Sequence, residues 1–76
     1  MNNTRRKELN KIYETIQDLR EELESIQSNE QEYLDNIPEN LQNSERYDIA
    51  DNAIDNMQYA LDSLEEALDY IEDSQA

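Results

Sequence analysis

The sequence predicts an all-α fold, an antiparallel helical hairpin that doubles into a homodimeric four-helix bundle. Two segments carry apolar residues at alternating intervals of three and four, the heptad pattern of helices that pack on one another. The only proline separates these segments, and the chain has no glycine. High charge with low hydrophobicity also permits disorder of the isolated chain. The regular heptads and the absence of glycine favour helices instead.

The first helix is predicted over about residues 5–36, with Asn3 or Thr4 as its N-cap. Its segment is rich in glutamate, glutamine, leucine and arginine, which favour helix. Tyr13 and Leu34 widen the apolar face at either end. The predicted packing positions are Leu9, Ile12, Ile16, Leu19, Leu23, Ile26, Glu30, Tyr33 and Ile37.

A turn is predicted over residues 37–43. Pro38 cannot lie inside a helix without losing a hydrogen bond and clashing one turn back. Ser44 is a natural N-cap for the helix that follows. Leu41 is the apolar residue of the turn itself, and we expect it to cover the end of the core.

The second helix is predicted over about residues 44–73, so that residues 1–76 form a single helical-hairpin domain. Pairing the helices so that facing residue numbers add to 80 matches every layer, and it brings Arg6 near Glu72 and Asp73. The packing positions of this helix form an unbroken heptad series: Tyr47, Ala50, Ile54, Met57, Leu61, Leu64, Leu68 and Ile71.

A second regular stripe follows the same helix and predicts self-association. It is nearly palindromic about Ala60, so a two-fold axis there would pack two copies of this helix antiparallel, as in isologous dimers. The alternative is that alanine serves only as a good helix former on an exposed face. The predicted dimer interface comprises Ile49, Ala53, Asn56, Ala60, Ser63, Ala67 and Tyr70.

The chain is strongly acidic, with 20 acids, 6 bases and a formal charge of −14. This balance argues against direct binding to nucleic acids or anionic membranes, both of which attract positive surfaces. Five bases lie within residues 1–20, whereas residues 21–76 contain only Arg46. With no long apolar run and no signal-peptide pattern, we expect a cytoplasmic protein, in a bacterial host if a phage encodes it.

The acids of the second helix recur with a regular period. Four aspartates, seven residues apart, form a column with steps of about 10.5 Å, and flanking acids widen it into a ridge roughly 35 Å long. A ridge of one sign attracts basic protein surfaces, although acids also simply keep a small protein soluble. The candidate partner-binding residues are Asp48, Asp51, Asp55, Asp62, Glu65, Glu66, Asp69 and Glu72.

The residue types argue against catalysis, a cofactor or a metal site. Cysteine and histidine are absent, which removes thiolate and imidazole ligands and the usual general base. Glu65, Glu66 and Asp69 resemble half of the magnesium site of all-α nucleotide pyrophosphohydrolases. The first helix supplies no second acidic cluster opposite them, so a solvated helix face is the favoured interpretation.

The turn and second helix, DNIPENLQNSERYDIADNAIDNMQYALDSLEEALDYIED, resemble small acidic two-helix proteins encoded by phages and prophages of low-GC bacteria. The segment from Pro38 to Arg46 is the specific part of this resemblance. By analogy with small acidic phage proteins, it implies an inhibitor that mimics DNA and engages a basic, nucleic-acid-binding host protein, such as a defence-system enzyme. The alternative is a structural or adaptor dimer.

Overall fold

The computed structural model describes residues 1–75 and confirms the all-α hairpin. Helix α1 spans Asn3–Asp35 and helix α2 spans Glu45–Asp73, with a short 3-10 helix, Glu39–Leu41, between them. The described residues contain no strand. The Cα trace measures 60 × 15 × 13 Å, so the hairpin is a rod two helices wide. The predicted domain extends one residue further, to position 76, which lies outside the described part.

Both helices begin at a residue whose side chain accepts a backbone hydrogen bond. Ser44 caps α2 as predicted, with its hydroxyl accepting from the Tyr47 amide at 3.3 Å. The cap of α1 is Asn2, whose carboxamide oxygen accepts from the Arg5 amide at 2.8 Å. The prediction of Asn3 or Thr4 as the cap was therefore wrong by one or two residues, because Asn2 is equally suited to capping.

The turn reverses the chain without any residue at positive φ in the described part of the chain. The Leu41 amide donates to the Pro38 carbonyl at 2.8 Å, and the Ser44 amide donates to the Leu41 carbonyl at 3.0 Å. The prediction that Leu41 covers the end of the core is wrong, since its side chain is exposed. Ile37 takes that place, since it is buried and packs with Leu34 and Ala50.

Helix α2 packs on α1 through the predicted heptad series. Ala50, Leu61 and Leu68 are buried. The other five positions of the series are half-buried: Tyr47, Ile54, Met57, Leu64 and Ile71. The packing face of α2 is thus confirmed along its whole length.

Helix α1 is rotated about its axis from the predicted orientation. One of its two columns faces α2 as expected, with Leu9, Ile16, Leu23, Glu30 and Ile37 half-buried or buried. The second column lies one residue further along, and the prediction of Ile12, Leu19, Ile26 and Tyr33 as packing positions is wrong. Those four side chains are 44–57% exposed. The positions that replace them are Tyr13, Arg20, Gln27 and Leu34.

The rotation has a physical reason in the composition of α1. Three neighbouring columns of this helix compete to face α2: first the column from Leu9 to Ile37, second the mixed column of Tyr13, Arg20, Gln27 and Leu34, and third the apolar column of Ile12, Leu19, Ile26 and Tyr33. A single partner helix covers only two of them. The chosen orientation buries Leu34 at the turn end and half-buries Tyr13 at the other. It also gives Gln27 and Arg20 polar partners on α2. The third column is left uncovered by the hairpin.

The observed contacts place the helices close to the predicted register. Gln27 meets Ile54 and Arg20 meets Glu65, pairs whose numbers add to 81 and 85 rather than 80. The small offset follows from the rotation of α1, which moves its inward positions one residue along the chain. Among residues 1–75, the ion pairs within 4.0 Å both involve Arg20, so Arg6 forms no direct pair with the acidic end of α2.

Candidate interaction surfaces

The groove between the helices has a polar side and an apolar side. The polar side is the edge where Arg20 and Gln27 of α1 meet Gln58, Asp62 and Glu65 of α2. The opposite edge, the apolar side, is identified by a surface groove near the turn that Tyr33 and Ile49 line together. Residues seven positions before or after those named lie on the same edge, so each edge extends along the length of the hairpin.

Hydrogen bonds hold the polar side together. The Gln27 side-chain nitrogen donates to the Ile54 carbonyl at 3.3 Å and to the Gln58 side-chain oxygen at 3.0 Å. Gln58 in turn donates to an Asp62 carboxylate oxygen at 3.0 Å. Because these bonds require one alignment of the helices, they help to fix the register, as polar residues do inside coiled coils.

Arg20 is the second polar group inside the helix interface. Its terminal nitrogen lies 3.5 Å from a Glu24 oxygen and 3.6 Å from a Glu65 oxygen. Its Nε is inaccessible and has no hydrogen-bond partner. An unpaired buried donor is destabilising, so Arg20 orients the helices at some cost in stability.

The acidic ridge comprises Asp48, Asp51, Asp55, Asp62, Glu65, Glu66, Asp69 and Glu72. All eight side chains are exposed along α2. Three have a contact within the hairpin: Glu65 pairs with Arg20, Asp62 accepts from Gln58, and the Tyr70 hydroxyl donates to Glu66 at 3.4 Å. The ridge therefore presents a concentrated negative charge that one arginine only partly offsets.

The basic residue of α2 lies away from the ridge. Arg46 lines the groove of the apolar side with Tyr33 and Ile49. Heptad positions place the acids of the ridge on the polar side and the outer back of α2. Arg46 is thus separated from the ridge acids, although Glu45 of the same helix and Glu30 of α1 line the groove with it.

The small-residue stripe is the set predicted as the dimer interface: Ile49, Ala53, Asn56, Ala60, Ser63, Ala67 and Tyr70. It runs along the apolar side. Ile49 and Tyr70 at its ends are 62% and 66% exposed, and Ala60 at its centre is exposed as well. Ala53 and Ala67 are half-buried. The middle of the stripe is therefore a shallow, accessible surface between two large side chains.

Helix α1 adds a second stripe to the same side, which sequence reasoning assigned to the hairpin core. This large-residue stripe consists of Ile12, Leu19, Ile26 and Tyr33, seven residues apart. A signal for it was available in the sequence, since Tyr13 and Leu34 mark a competing third column, and one helix partner covers only two columns.

The remaining groups give no sign of a chemical centre in the described part of the chain. No three acidic side chains among residues 1–75 gather in a way that could hold a metal ion. Glu65, part of the motif that resembles a magnesium site, pairs with Arg20 instead. No helix in this range has the length and apolar character needed to cross a membrane.

Comparison with known protein families, curated proteins and solved structures finds no match to this chain.

Proposed function

We propose that the protein is a non-enzymatic binding module whose acidic ridge engages the basic, nucleic-acid-binding surface of another protein. In this proposal it acts as a phage-type inhibitor that offers carboxylates where a partner would hold phosphates. The observation that carries the proposal is the exposure of all eight ridge acids on one helix. Fixed charges of one sign on a rigid rod steer a basic partner and align it.

The shape of the ridge supports this partner class. A helix holds its side chains in regular rows, and a ridge of roughly 35 Å has the length of about one turn of DNA. The position of Arg46 further supports it, because this residue lies on the apolar side and does not interrupt the ridge. A purely solubilising surface would be served equally well by mixed charges.

The direct test uses the immobilised protein to capture host proteins, which are then eluted with duplex DNA. We expect wild type to retain a nucleic-acid-binding protein that DNA displaces. The double variant Asp55→Lys, Asp62→Lys should lose it, because ridge charge is reversed at two central positions.

The matched control is Asp18→Lys, Glu32→Lys, which changes net charge equally at two exposed positions of α1. We expect this control to retain the partner. Equal capture by both double variants, or a captured protein that DNA does not displace, would contradict the proposal.

A structural or adaptor dimer is the second candidate, and the exposed apolar side favours it. In that case a second copy covers the small-residue stripe, the acids confer only solubility, and a partner protein binds through exposed apolar groups such as Tyr59. Capture would then survive Asp55→Lys, Asp62→Lys and disappear in Tyr59→Ala. The two candidates thus predict opposite results for the same pair of variants.

A further inference from the structure

We infer that a second copy of this chain covers the apolar side, with the large-residue stripe of α1 packed on the small-residue stripe of α2 of the partner. This inference deepens the dimer proposed as the second candidate, on which it rests, by adding α1 to the interface and fixing the arrangement. The sequence alone placed two copies of α2 against each other.

The hairpin exposes enough surface to form an interface with a second copy. The chain exposes 5911 Å², whereas a compact 9.0 kDa monomer exposes about 4,900 Å². The excess of about 1,000 Å² comes from the elongated 60 × 15 × 13 Å shape of the hairpin, and it is close to the roughly 800 Å² that each protein contributes to a standard interface. Few apolar side chains are buried within the hairpin itself. A chain this small gains most from self-association.

The charge distribution permits two copies to approach by this face. The acidic ridge lies on the polar side and outer back of α2, so it points away from the apolar side. Arg5 and Arg46 stand seven residues before Ile12 and Ala53, and they extend the two stripes with positive charge. Two chains of charge −14 can therefore meet here with their ridges far apart.

The two stripes are complementary in size and register. In the register of the hairpin, Leu19 is level with Ser63 and Ile26 is level with Asn56, since both pairs add to 82, within the observed range of 81 to 85. Ala60 falls midway between Leu19 and Ile26. When the turns of two copies lie at the same end, Leu19 and Ile26 face the partner's small residues, and the alanines fill the gaps between them. At the two ends of the interface, Ile12 is level with the partner's Tyr70 and Tyr33 with the partner's Ile49, so large side chains meet there.

The opposite arrangement, with the turns at opposite ends, packs less evenly. It places each stripe against its own copy, so that large residues meet large residues and alanines meet alanines. Packed helices lie 8–10 Å apart according to the size of the contacting side chains. The two α1 helices would then need a wider spacing than the two α2 helices, so the hairpins could not pack closely along both pairs at once.

The interface is tested by molecular mass. We expect wild type to sediment at twice 9.0 kDa and Ile26→Glu to sediment as a monomer that keeps its helical circular dichroism. Ser25→Glu, a matched control at the adjacent exposed position on the other side of α1, should remain a dimer. A wild-type monomer at all concentrations, or a dimeric Ile26→Glu, would overturn the inference.

The arrangement is tested by a distance between spin labels at Asn43→Cys in the turn, a specific site because the chain has no cysteine. Turns at the same end place the labels within about two hairpin widths of 15 Å, whereas turns at opposite ends place them about 60 Å apart. A dimer with the long distance would overturn the pairing of α1 with the partner's α2 and leave self-association through α2 intact. Neither result depends on whether the acidic ridge binds a basic partner.

Discussion

On the two sides of the hairpin, adjacent residues of α1 have different surroundings. On the polar side, Gln27 and Arg20 reach across to α2, and the acids of the ridge lie beyond them. On the apolar side, Leu19 and Ile26 precede those same residues by one position yet point away from α2 and remain exposed. A change of one position along α1 thus separates contacts inside the hairpin from a surface that is open to a partner.

This difference indicates that the alignment of the two helices depends on contacts of the polar side as well as on the apolar core. Apolar contacts are not directional and allow several alignments of two columns, whereas the hydrogen bonds from Gln27 to Ile54 and Gln58 require one. The exposed column is then the consequence of that alignment. The two proposed partners bind to the two different sides: the basic protein binds to the ridge, and the second copy binds to the apolar side.

The largest effect should come from truncating a residue that lies between the helices. Leu61 is 5% exposed, so Leu61→Ala should lower the free energy of unfolding by about 3 kcal/mol through lost burial and a residual cavity. Urea denaturation followed by circular dichroism measures the change.

Leu19→Ala is the matched truncation on the exposed column, where the side chain is 51% exposed. At concentrations where the protein is monomeric, we expect it to cost under about 0.5 kcal/mol. Equal losses in the two variants would show that both leucines lie in the hairpin core, as the sequence alone predicted.

A change of intermediate size tests the polar groups between the helices. Gln27→Ala should lower the free energy of unfolding by about 1–2 kcal/mol, because two hydrogen bonds to α2 are lost. Arg20→Leu should raise it by about 1 kcal/mol, because it removes an inaccessible Nε without a partner and adds apolar contact. Thermal unfolding at one protein concentration compares the two variants, and a stabilising Gln27→Ala would contradict the role given to the polar side.

A smaller change in stability than those of Leu61→Ala and Gln27→Ala is expected on the ridge. Glu65 and Asp69 are like charges one helical turn apart, and Asp69→Lys converts them to a favourable pair. We expect a gain of about 0.5–1 kcal/mol at low salt together with weaker capture of a basic partner. Stability and binding would then change in opposite directions, whereas a purely solubilising ridge predicts the stability gain with unchanged capture.

Much of the fold was predictable because its local signals agree. Pro38 and Ser44 fix the turn and the start of α2, and one unbroken heptad series fixes the packing face of that helix. The packing face of α1 was only half predictable, because two apolar columns and one mixed column compete for one partner helix. The hydrogen bonds of Gln27 and the ion pair of Arg20 with Glu65, which no apolar periodicity reveals, accompany the orientation that the helix adopts.

The candidate surfaces were predictable to a different degree. The ridge acids could be placed on one helix because a regular period fixes their direction, and their binding role stays a prediction. The contribution of α1 to the apolar side was missed because Ile12 and Tyr33 were assigned to the core, although Tyr13 and Leu34 marked a competing column. Leu41 was misplaced for a related reason, because apolar character alone does not tell which residue of a turn points inward.

Sedimentation of two variants side by side tests the separation of the two sides most directly. Leu19→Glu alters the large-residue stripe, and the double variant Asp55→Lys, Asp62→Lys alters the ridge. The account predicts a monomer for Leu19→Glu and a dimer of twice 9.0 kDa for the ridge variant, both helical by circular dichroism. A dimeric Leu19→Glu together with a monomeric ridge variant would contradict the account, because self-association would then depend on the acidic face.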